Sequence, residues 1–359
     1  MVTISLCMIV KNEEKTLERC LESIKKAVDE IIIVDTGSFD RTKEIAKKYT
    51  EKIYDFTWDD DFSAARNYSF AKATMDFCMW MDADDLMPQE SLVKFIEYKK
   101  TLSSSIDTVM MKYNISFDTN DNPTFSYYRE RIIKNCKNAK WEGEIHEVII
   151  PFGNIVYTDI AISHKKIENK NPSRNLYIYE KILSSGKSLG ARHQFYYSKE
   201  LYYNGKYYKA IDEFEKFLND KSGWIENKID ACEHLSYCYG KVGNINLEIL
   251  SLFRSFEYDV PRAEICCDIG NYFFRLNKYK QAVFWYKMAA SIKKTDNSLG
   301  FIKNDCYDYI PYIQLCVCYY RLGNAEKSIE YNNLAKNIKP YDPAVKQNLE
   351  FFKTLTAKG

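Results

Sequence analysis

Apolar residues fall in short unbroken runs along the first part of the chain and at helical spacing along the second half. Ile4 to Val10, Glu30 to Asp35, Ile53 to Phe56 and Phe77 to Met81 have strand length, and the first, second and fourth are apolar on both faces, as in a covered parallel sheet. Between them lie helical patterns: Thr16 to Ala27, with Leu17, Cys20, Leu21 and Ile24 on one stripe, then Thr42 to Tyr49 and Phe62 to Ala73. Strand, helix, strand, helix, strand predicts a right-handed parallel βαβ layout, whose ligands bind outside the carboxyl ends of the strands. A helix over Glu90 to Tyr98 and strands over Thr108 to Tyr113 and Tyr127 to Ile133 follow, the strands joined by an Asp/Asn-rich loop at Asp118 to Asn122.

From about Asn171 strand signals stop and helical periodicity takes over. Gly205-Lys206-Tyr207, Gly243-Asn244, Asn277-Lys278-Tyr279 and Gly323-Asn324 recur at spacings of 38, 34 and 46 between paired helical patterns. A period near 34 with this turn is the tetratricopeptide signature, here with an insertion around Asp296 to Asp308 and a terminal capping helix over Ala344 to Thr354. The expected organisation is therefore an α/β domain over 1–168 and an all-α repeat domain over 169–359. Such an array offers a concave surface to a peptide, a protein or a second copy of the chain, or serves only as a scaffold; His193 and His234 read as structural.

Lys+Arg 51 against Asp+Glu 50 leaves a net charge of +1, which gives no general attraction to nucleic acid or to a membrane surface. No apolar run reaches transmembrane length, the chain enters a strand directly without a signal peptide, and eleven scattered cysteines form no Cys-x-x-Cys pair. Reduced structural thiols in a cytoplasmic protein are the expectation.

The chemistry concentrates at Trp80-Met81-Asp82-Ala83-Asp84-Asp85, where an apolar strand runs into three carboxylates. Converging carboxylates at a sheet edge call for a cation; alternatively Asp84 or Asp85 caps the helix near Pro88. Neither a Gly-x-Gly-x-x-Gly fingerprint nor a P-loop follows the first strand, so phosphates must be handled otherwise, with a metal at the acidic cluster as the candidate. Two further polar strand ends share that edge, Lys11-Asn12-Glu13 and Asp35-Thr36-Gly37-Ser38. Asp35 suits a base N–H and Glu13 ribose hydroxyls, although Asp35 also suits a turn that bonds its own backbone. Arg66 can grip a carboxylate or a diphosphate, or pair at the surface with Asp59, Asp60 or Asp61. In Trp141-Glu142-Gly143-Glu144-Ile145-His146-Glu147, a His-Glu pair suits proton abstraction, with a plain hairpin as the alternative.

Cys-Met-Ile-Val-Lys-Asn-Glu-Glu (7–14), Ile-Val-Asp-Thr-Gly-Ser-x-Asp-x-Thr (33–42), Asp-Phe-Ser-x-Ala-Arg-Asn (61–67) and Met-Asp-Ala-Asp-Asp (81–85) together resemble family 2 glycosyltransferases of the GT-A fold. Trp-x-Gly-x-Ile-His-Glu, followed by Ile-x-His at 162–164, is similar to the branch that adds tetratricopeptide repeats and includes a glycocin S-glycosyltransferase. The resemblance implies an enzyme that moves a hexose with inversion from a UDP-sugar to a peptide or protein Cys or Ser/Thr, or else to a polysaccharide or flagellar glycan. It implies Mn²⁺ or Mg²⁺ on Asp84, with Asp82 on the metal or the donor and His164 as third ligand. It places the donor against Val10, Asn12, Glu13, Asp35, Gly37, Arg66 and Asp82. It puts the acceptor near Trp141 and Asp85, and makes Glu147 or His146 the base, with Arg66 or Lys72 offsetting charge on the departing diphosphate. Val10 stands where the family usually has Pro, and His164-Lys165-Lys166-Ile167 departs from the usual His-x-Gly-Tyr. A nucleotidyltransferase, which would want a glycine-rich basic loop after the first strand, and a non-catalytic scaffold with a degenerate enzyme domain are the rival readings.

Overall fold

The computed structural model describes residues 2–118, 120–167, 173–293 and 302–356. The α/β part runs β1 (Ile4–Val10), α1 (Leu17–Ile24), β2 (Glu30–Asp35), α2 (Thr42–Ala46), β3 (Ile53–Asp55), α3 (Phe62–Phe70), β4 (Phe77–Trp80), β5 (Asp85–Leu86), α4 (Gln89–Thr101), β6 (Thr108–Phe117), β7 (Pro123–Lys134), β8 (Ile155–His164) and α5 (Arg174–Ser184). Eight strands lie in the order β3-β2-β1-β4-β7-β6-β8-β5. β1 is parallel to β2 and β4, and β2 to β3, as the βαβ pattern requires; β7 then joins β4 antiparallel.

Alternation along β1 explains the two-sided core. Ile4, Leu6, Met8 and Val10 point to one face, against Leu17, Leu21 and Ile24 of α1 and Phe95 of α4. Cys7 points to the other, with Cys78, Trp80, Ile133 and Trp141. α1 buries one stripe, Leu17, Cys20, Leu21 and Ile24, and starts where the Glu13 carbonyl accepts from Thr16 and Leu17 N–H at 3.0 and 2.9 Å. Truncating Leu21 to Ala would cost about 2–5 kcal/mol at such a site.

The register puts the chemistry on one edge. Val10 pairs with Asp35 and Cys7 with Trp80, so the residues that follow β1, β2 and β4 emerge side by side. β5 pairs antiparallel with β8, with Asp85 opposite His164. That pairing unites residues 79 apart in sequence.

The chain divides into two compact units, Met1–Ser116 with Ser126–Ser188 and Phe117–Phe125 with Leu189–Gly359. The expected boundary at 168/169 lies outside the described residues, and α5 is grouped with the first unit. The second unit holds four helix pairs, α6 (Ala191–Tyr203) with α7 (Tyr207–Asn219), α8 (Ile225–Lys241) with α9 (Ile245–Arg254), α10 (Ala263–Arg275) with α11 (Tyr279–Ser291) and α12 (Tyr309–Arg321) with α13 (Ala325–Ile338), then the terminal α14 (Pro343–Thr356). Gly205, Gly243, Asn277 and Gly323 each turn the first helix of a pair into the second at φ between 57° and 79°. The following N–H reaches back to close the helix, as Lys206 does to the Leu201 carbonyl and Asn324 to Tyr319, both at 2.9 Å. Asn is the non-glycine residue that tolerates this left-handed position best, which is why Asn277 replaces Gly in the third repeat. Part of the expected insertion, 296–301, lies outside the described residues.

Candidate active site

The acidic stretch after β4 separates into three roles. Asp82 remains 34% exposed, Asp84 23% and Asp85 0%. Asp82 Oδ1 accepts from Arg66 Nη2 at 2.7 Å. Burial alone would raise the Asp82 carboxyl, but the adjacent guanidinium outweighs it and holds the group down at about 2. Asp84 has no such partner. Burial and the Asp82 charge push it up to about 6, against the lowering effect of His164. His164 Nδ1 lies 3.3 Å from Asp84 Oδ1 and 3.1 Å from Asp85 Oδ1. Burial would lower the imidazole, but its hydrogen bond to Asp85 and the charge of Asp84 carry it above its ordinary value.

Asp84, Asp85 and His164 offer ligand atoms within 4.8 Å of one another. Asp82 stands beside this group, tied to Arg66. Asp85 departs from its expected place at the acceptor pocket. It is fully buried, accepts from Tyr113 Oη at 2.8 Å and from the Asp82 N–H at 3.1 Å, and pairs with Arg131 Nη1 at 3.1 Å. Nor does it or Asp84 cap the next helix: the N-cap of α4 is Pro88, and no side chain caps it. Arg131 is itself fully buried, its guanidinium 3.7 Å from the Trp80 ring centre and 4.2 Å from that of Tyr113. The patterning of the sequence does not mark Arg131 or Tyr113 as neighbours of the acidic stretch. The available signal was a run of charge, Arg129-Glu130-Arg131, inside an otherwise apolar strand.

Arg66 sits on α3, whose N-terminus is capped by Asp61 accepting from Ala64 N–H at 2.9 Å. Its surface alternative fails: Asp60 pairs instead with Lys181 at 2.8 Å. Arg66 lies between Trp80 and Trp141, 4.9 and 4.8 Å from their ring centres, and its Nε donates to Glu147 Oε1 at 2.6 Å. The next residue, Asn67, clamps the same loop: its Nδ2 donates to the Trp141 carbonyl at 2.9 Å and its Oδ1 accepts from the Trp141 N–H at 2.8 Å. Trp141 is therefore a buried wall for Arg66, at 1% exposure, and presents no acceptor surface. The loop is closed by two backbone bonds between Glu142 and Val148, and contains Gly143 and His146 at positive φ. His146 stacks on Tyr179 of α5 with ring centres 6.1 Å apart, while Glu147 faces Arg66. Lys72 lies over Tyr54 and Tyr68.

At the first two strand ends, Val10 is a core residue; only its carbonyl is used, accepting from Thr36 N–H at 2.9 Å. Asn12 braces the two loops, its N–H on Ser38 Oγ at 2.9 Å and its Oδ1 accepting from Phe39 N–H at 3.0 Å. Asp35 makes the turn that bonds its own backbone and keeps one oxygen over. Oδ1 accepts from Gly37 and Ser38 N–H, each at 2.9 Å, whereas the equally buried Oδ2 has no partner. Gly37 needs its positive φ of 99° and leaves open space where a side chain would stand. Glu13 holds Thr16 through Oε2 at 2.7 Å and its charge contributes to raising Asp84.

A mixed sheet with carboxylates and an arginine at its carboxyl edge, followed in the chain by helical hairpin repeats, is a GT-A-type domain with tetratricopeptide-like repeats. Residues 5–155 match the family model Glycosyl transferase family 2, and the chain carries a domain of that family. Among curated proteins, it is 36% identical over 151 residues to a TPR repeat-containing protein of Synechococcus elongatus, covering 42% of this chain and 36% of that one. It is 30% identical over 245 residues to the SPbeta prophage-derived glycosyltransferase SunS of Bacillus subtilis, covering 64% of this chain and 57% of that one. The chain thus spans little more than half of the one relative's length and about a third of the other's. Among solved structures, the type IV pilus biogenesis factor PilW aligns with TM-score 0.40 and 17% identity over 49% of this chain and 74% of its own. No helix among the described residues is long and apolar enough to cross a membrane.

Proposed function

We propose that the chain is a metal-dependent, inverting glycosyltransferase that moves a hexose from a UDP-sugar to a Cys or Ser/Thr side chain of a peptide or protein. The observation that carries this is the charged line Glu147–Arg66–Asp82, beside Asp84 and His164, on the edge where Asp35 and Glu13 also emerge.

The residues fit a divalent cation. Hard carboxylate oxygens with one imidazole suit Mn²⁺ or Mg²⁺, and Asp84, pushed up to about 6 by its neighbours, is relieved by a positive charge. Asp84 and His164 would hold it, with Asp82 alongside and Asp85 hydrogen-bonded to the His164 ring. Bound there, the metal supplies charge neutralisation for a diphosphate.

The chain's own residues do the rest. Asp35 Oδ2, buried and without a partner, accepts the ring N–H of a uracil. Arg66 holds Asp82 on the donor side and Glu147 on the acceptor side with one guanidinium, so the two sites share a geometry. Glu147 Oε2 takes the acceptor proton as the acceptor S or O forms its bond to the anomeric carbon, and the bond from that carbon to the diphosphate oxygen breaks to release UDP. His146, turned onto Tyr179, positions the loop. A polypeptide acceptor is supported by the repeat array, and glycosyl transfer by the similarity to the glycosyltransferase SunS. The eleven cysteines, all free and ten of them buried, suit a reducing compartment such as the cytoplasm.

The test is to incubate the chain with a panel of UDP-sugars, Mn²⁺ and candidate Cys- or Ser-bearing peptides, and to follow UDP release together with peptide mass. A hexose-sized gain on one peptide is expected. No UDP-sugar binding or turnover across the panel would overturn the reading.

A further inference from the structure

Behind the acidic stretch lies a buried charged group that the transfer chemistry does not use. β7 runs antiparallel to β4 with Met79 opposite Ile132, which carries Arg131 to the end of β4, where the acidic stretch begins. β6 runs parallel to β8 with Tyr113 beside Ile162 and Asn114 beside Ser163, which carries Tyr113 toward His164. Asp85 stands between the two with both oxygens engaged. Its Oδ2 accepts from Arg131 Nη1 and from the Asp82 N–H, each at 3.1 Å. Its Oδ1 accepts from Tyr113 Oη at 2.8 Å and lies 3.1 Å from His164 Nδ1. Tyr113 Oη is itself 2.9 Å from that nitrogen, so two oxygens fix the imidazole and each is fixed in turn.

Two features separate this arrangement from ordinary packing. Arg131 is fully buried against the Trp80 and Tyr113 rings, yet its Nε and Nη2 have no hydrogen-bond partner. A guanidinium buried with donors unmet costs stability, and an apolar side chain of similar volume would fill the place at less cost. The charges are also divided in a particular way. Asp82 pairs with Arg66 and Asp85 with Arg131. Asp84 pairs with neither arginine and lies 3.3 Å from the imidazole that Asp85 and Tyr113 orient. Two arginines therefore neutralise two of the three carboxylates and leave the third to a cation.

We propose, resting on the cation site of the proposed function, that Arg131 and Tyr113 are positioning residues for that site: Arg131 holds Asp85, and Asp85 with Tyr113 holds the His164 ring toward the cation beside Asp84. Neither residue touches the cation or the substrates. Partners that orient a ligating imidazole set metal affinity by roughly 10–100-fold, and that is the size of effect expected here.

The test uses the full chain and Mn²⁺ alone as the probe, with binding read by calorimetry and folding by urea unfolding. Tyr113→Phe keeps the ring and removes the hydroxyl. It should stay folded and bind Mn²⁺ at least tenfold more weakly than the unmodified chain. Arg131→Met leaves Asp85 buried without a counter-charge and should lower the urea midpoint as well as the affinity. Adding Asp85→Asn to Arg131→Met removes both charges; the midpoint should recover, whereas the affinity should stay at least tenfold down. A role in packing alone would move the midpoint and leave Mn²⁺ binding intact. Mn²⁺ binding as tight as that of the unmodified chain, in either Tyr113→Phe or the double variant, overturns the proposal and leaves the cation site standing. An unmodified chain that binds no Mn²⁺ overturns both. Should the arginine variants fail to fold, Tyr113→Phe decides.

Discussion

Arg66 Nε donates to Glu147 Oε1 at 2.6 Å, joining the first turns of a helix to a loop 81 residues further along the chain. The same guanidinium holds Asp82, so Arg66 links the proposed donor carboxylate to the proposed base. Replacing Arg66 by Ala strands two carboxylates against Trp80 and Trp141. We expect a loss of about 3–5 kcal/mol in urea unfolding, since breaking a buried pair leaves its partners uncompensated. Arg66→Lys keeps the charge but not the fork, and should recover part of the stability and little of the activity.

Glu147→Gln keeps the loop's shape and removes the proton acceptor. A fall in kcat of roughly 10²–10⁴-fold with little change in donor KM is expected from steady-state rates. His146→Ala should be milder, because that ring packs on Tyr179. Equal losses for both variants would remove the distinction between base and positioning residue.

Asp35→Asn retains an oxygen for the Gly37 and Ser38 N–H groups but replaces the unpartnered Oδ2 by a donor. Thermal stability should change little, whereas UDP affinity, read by calorimetry, should fall by at least tenfold. An undiminished affinity would remove Asp35 from the base site.

The pH dependence follows from Asp84 and His164. Asp84 titrates at about 6 in the folded chain against an ordinary 3.8, so the folded state holds this proton more tightly, and stability falls as pH rises from about 4 to about 6. His164 is also raised, so its contribution is complete below its ordinary 6.5 and is lost as pH rises through its folded value. Both act in one direction: the metal-free chain should melt lower at pH 7.5 than at pH 5.5, and Asp84→Asn should remove the part that falls below pH 6. Metal competes with these protons, so Mn²⁺ affinity should rise about tenfold per pH unit up to about 6 for the Asp84 proton alone, and more slowly above. Calorimetric titrations at pH 5, 6 and 7 check the slope.

What the sequence disclosed was local. A run of apolar residues ending in a carboxylate marks a strand and its tip, so β1, β2 and β4 with Asp35, Asp82 and Asp84 were legible. The turns at Gly205, Gly243, Asn277 and Gly323 were legible because a left-handed residue between two helical stripes has few substitutes. The fates of Asp85 and Trp141 depend on distant partners: Arg131 lies 46 residues beyond Asp85, and Arg66 and Asn67 grip Trp141 from a helix 74 residues away in sequence. No periodicity reports such pairings, and a carboxylate next to two site residues looked like a third. Val10 was misplaced for a simpler reason: its side chain continues the alternation of β1 into the core, and only the residues after it leave the sheet.

The central claim is tested most directly at Asp84, the carboxylate left without an arginine. UDP-hexose turnover should be measured with Mn²⁺ for the unmodified chain and for Asp84→Ala, alongside Mn²⁺ binding to each. The account predicts turnover that chelation abolishes and a variant that loses both Mn²⁺ binding and at least 10²-fold in rate while remaining folded. An Asp84→Ala chain that binds Mn²⁺ and turns over UDP-hexose like the unmodified one would contradict it.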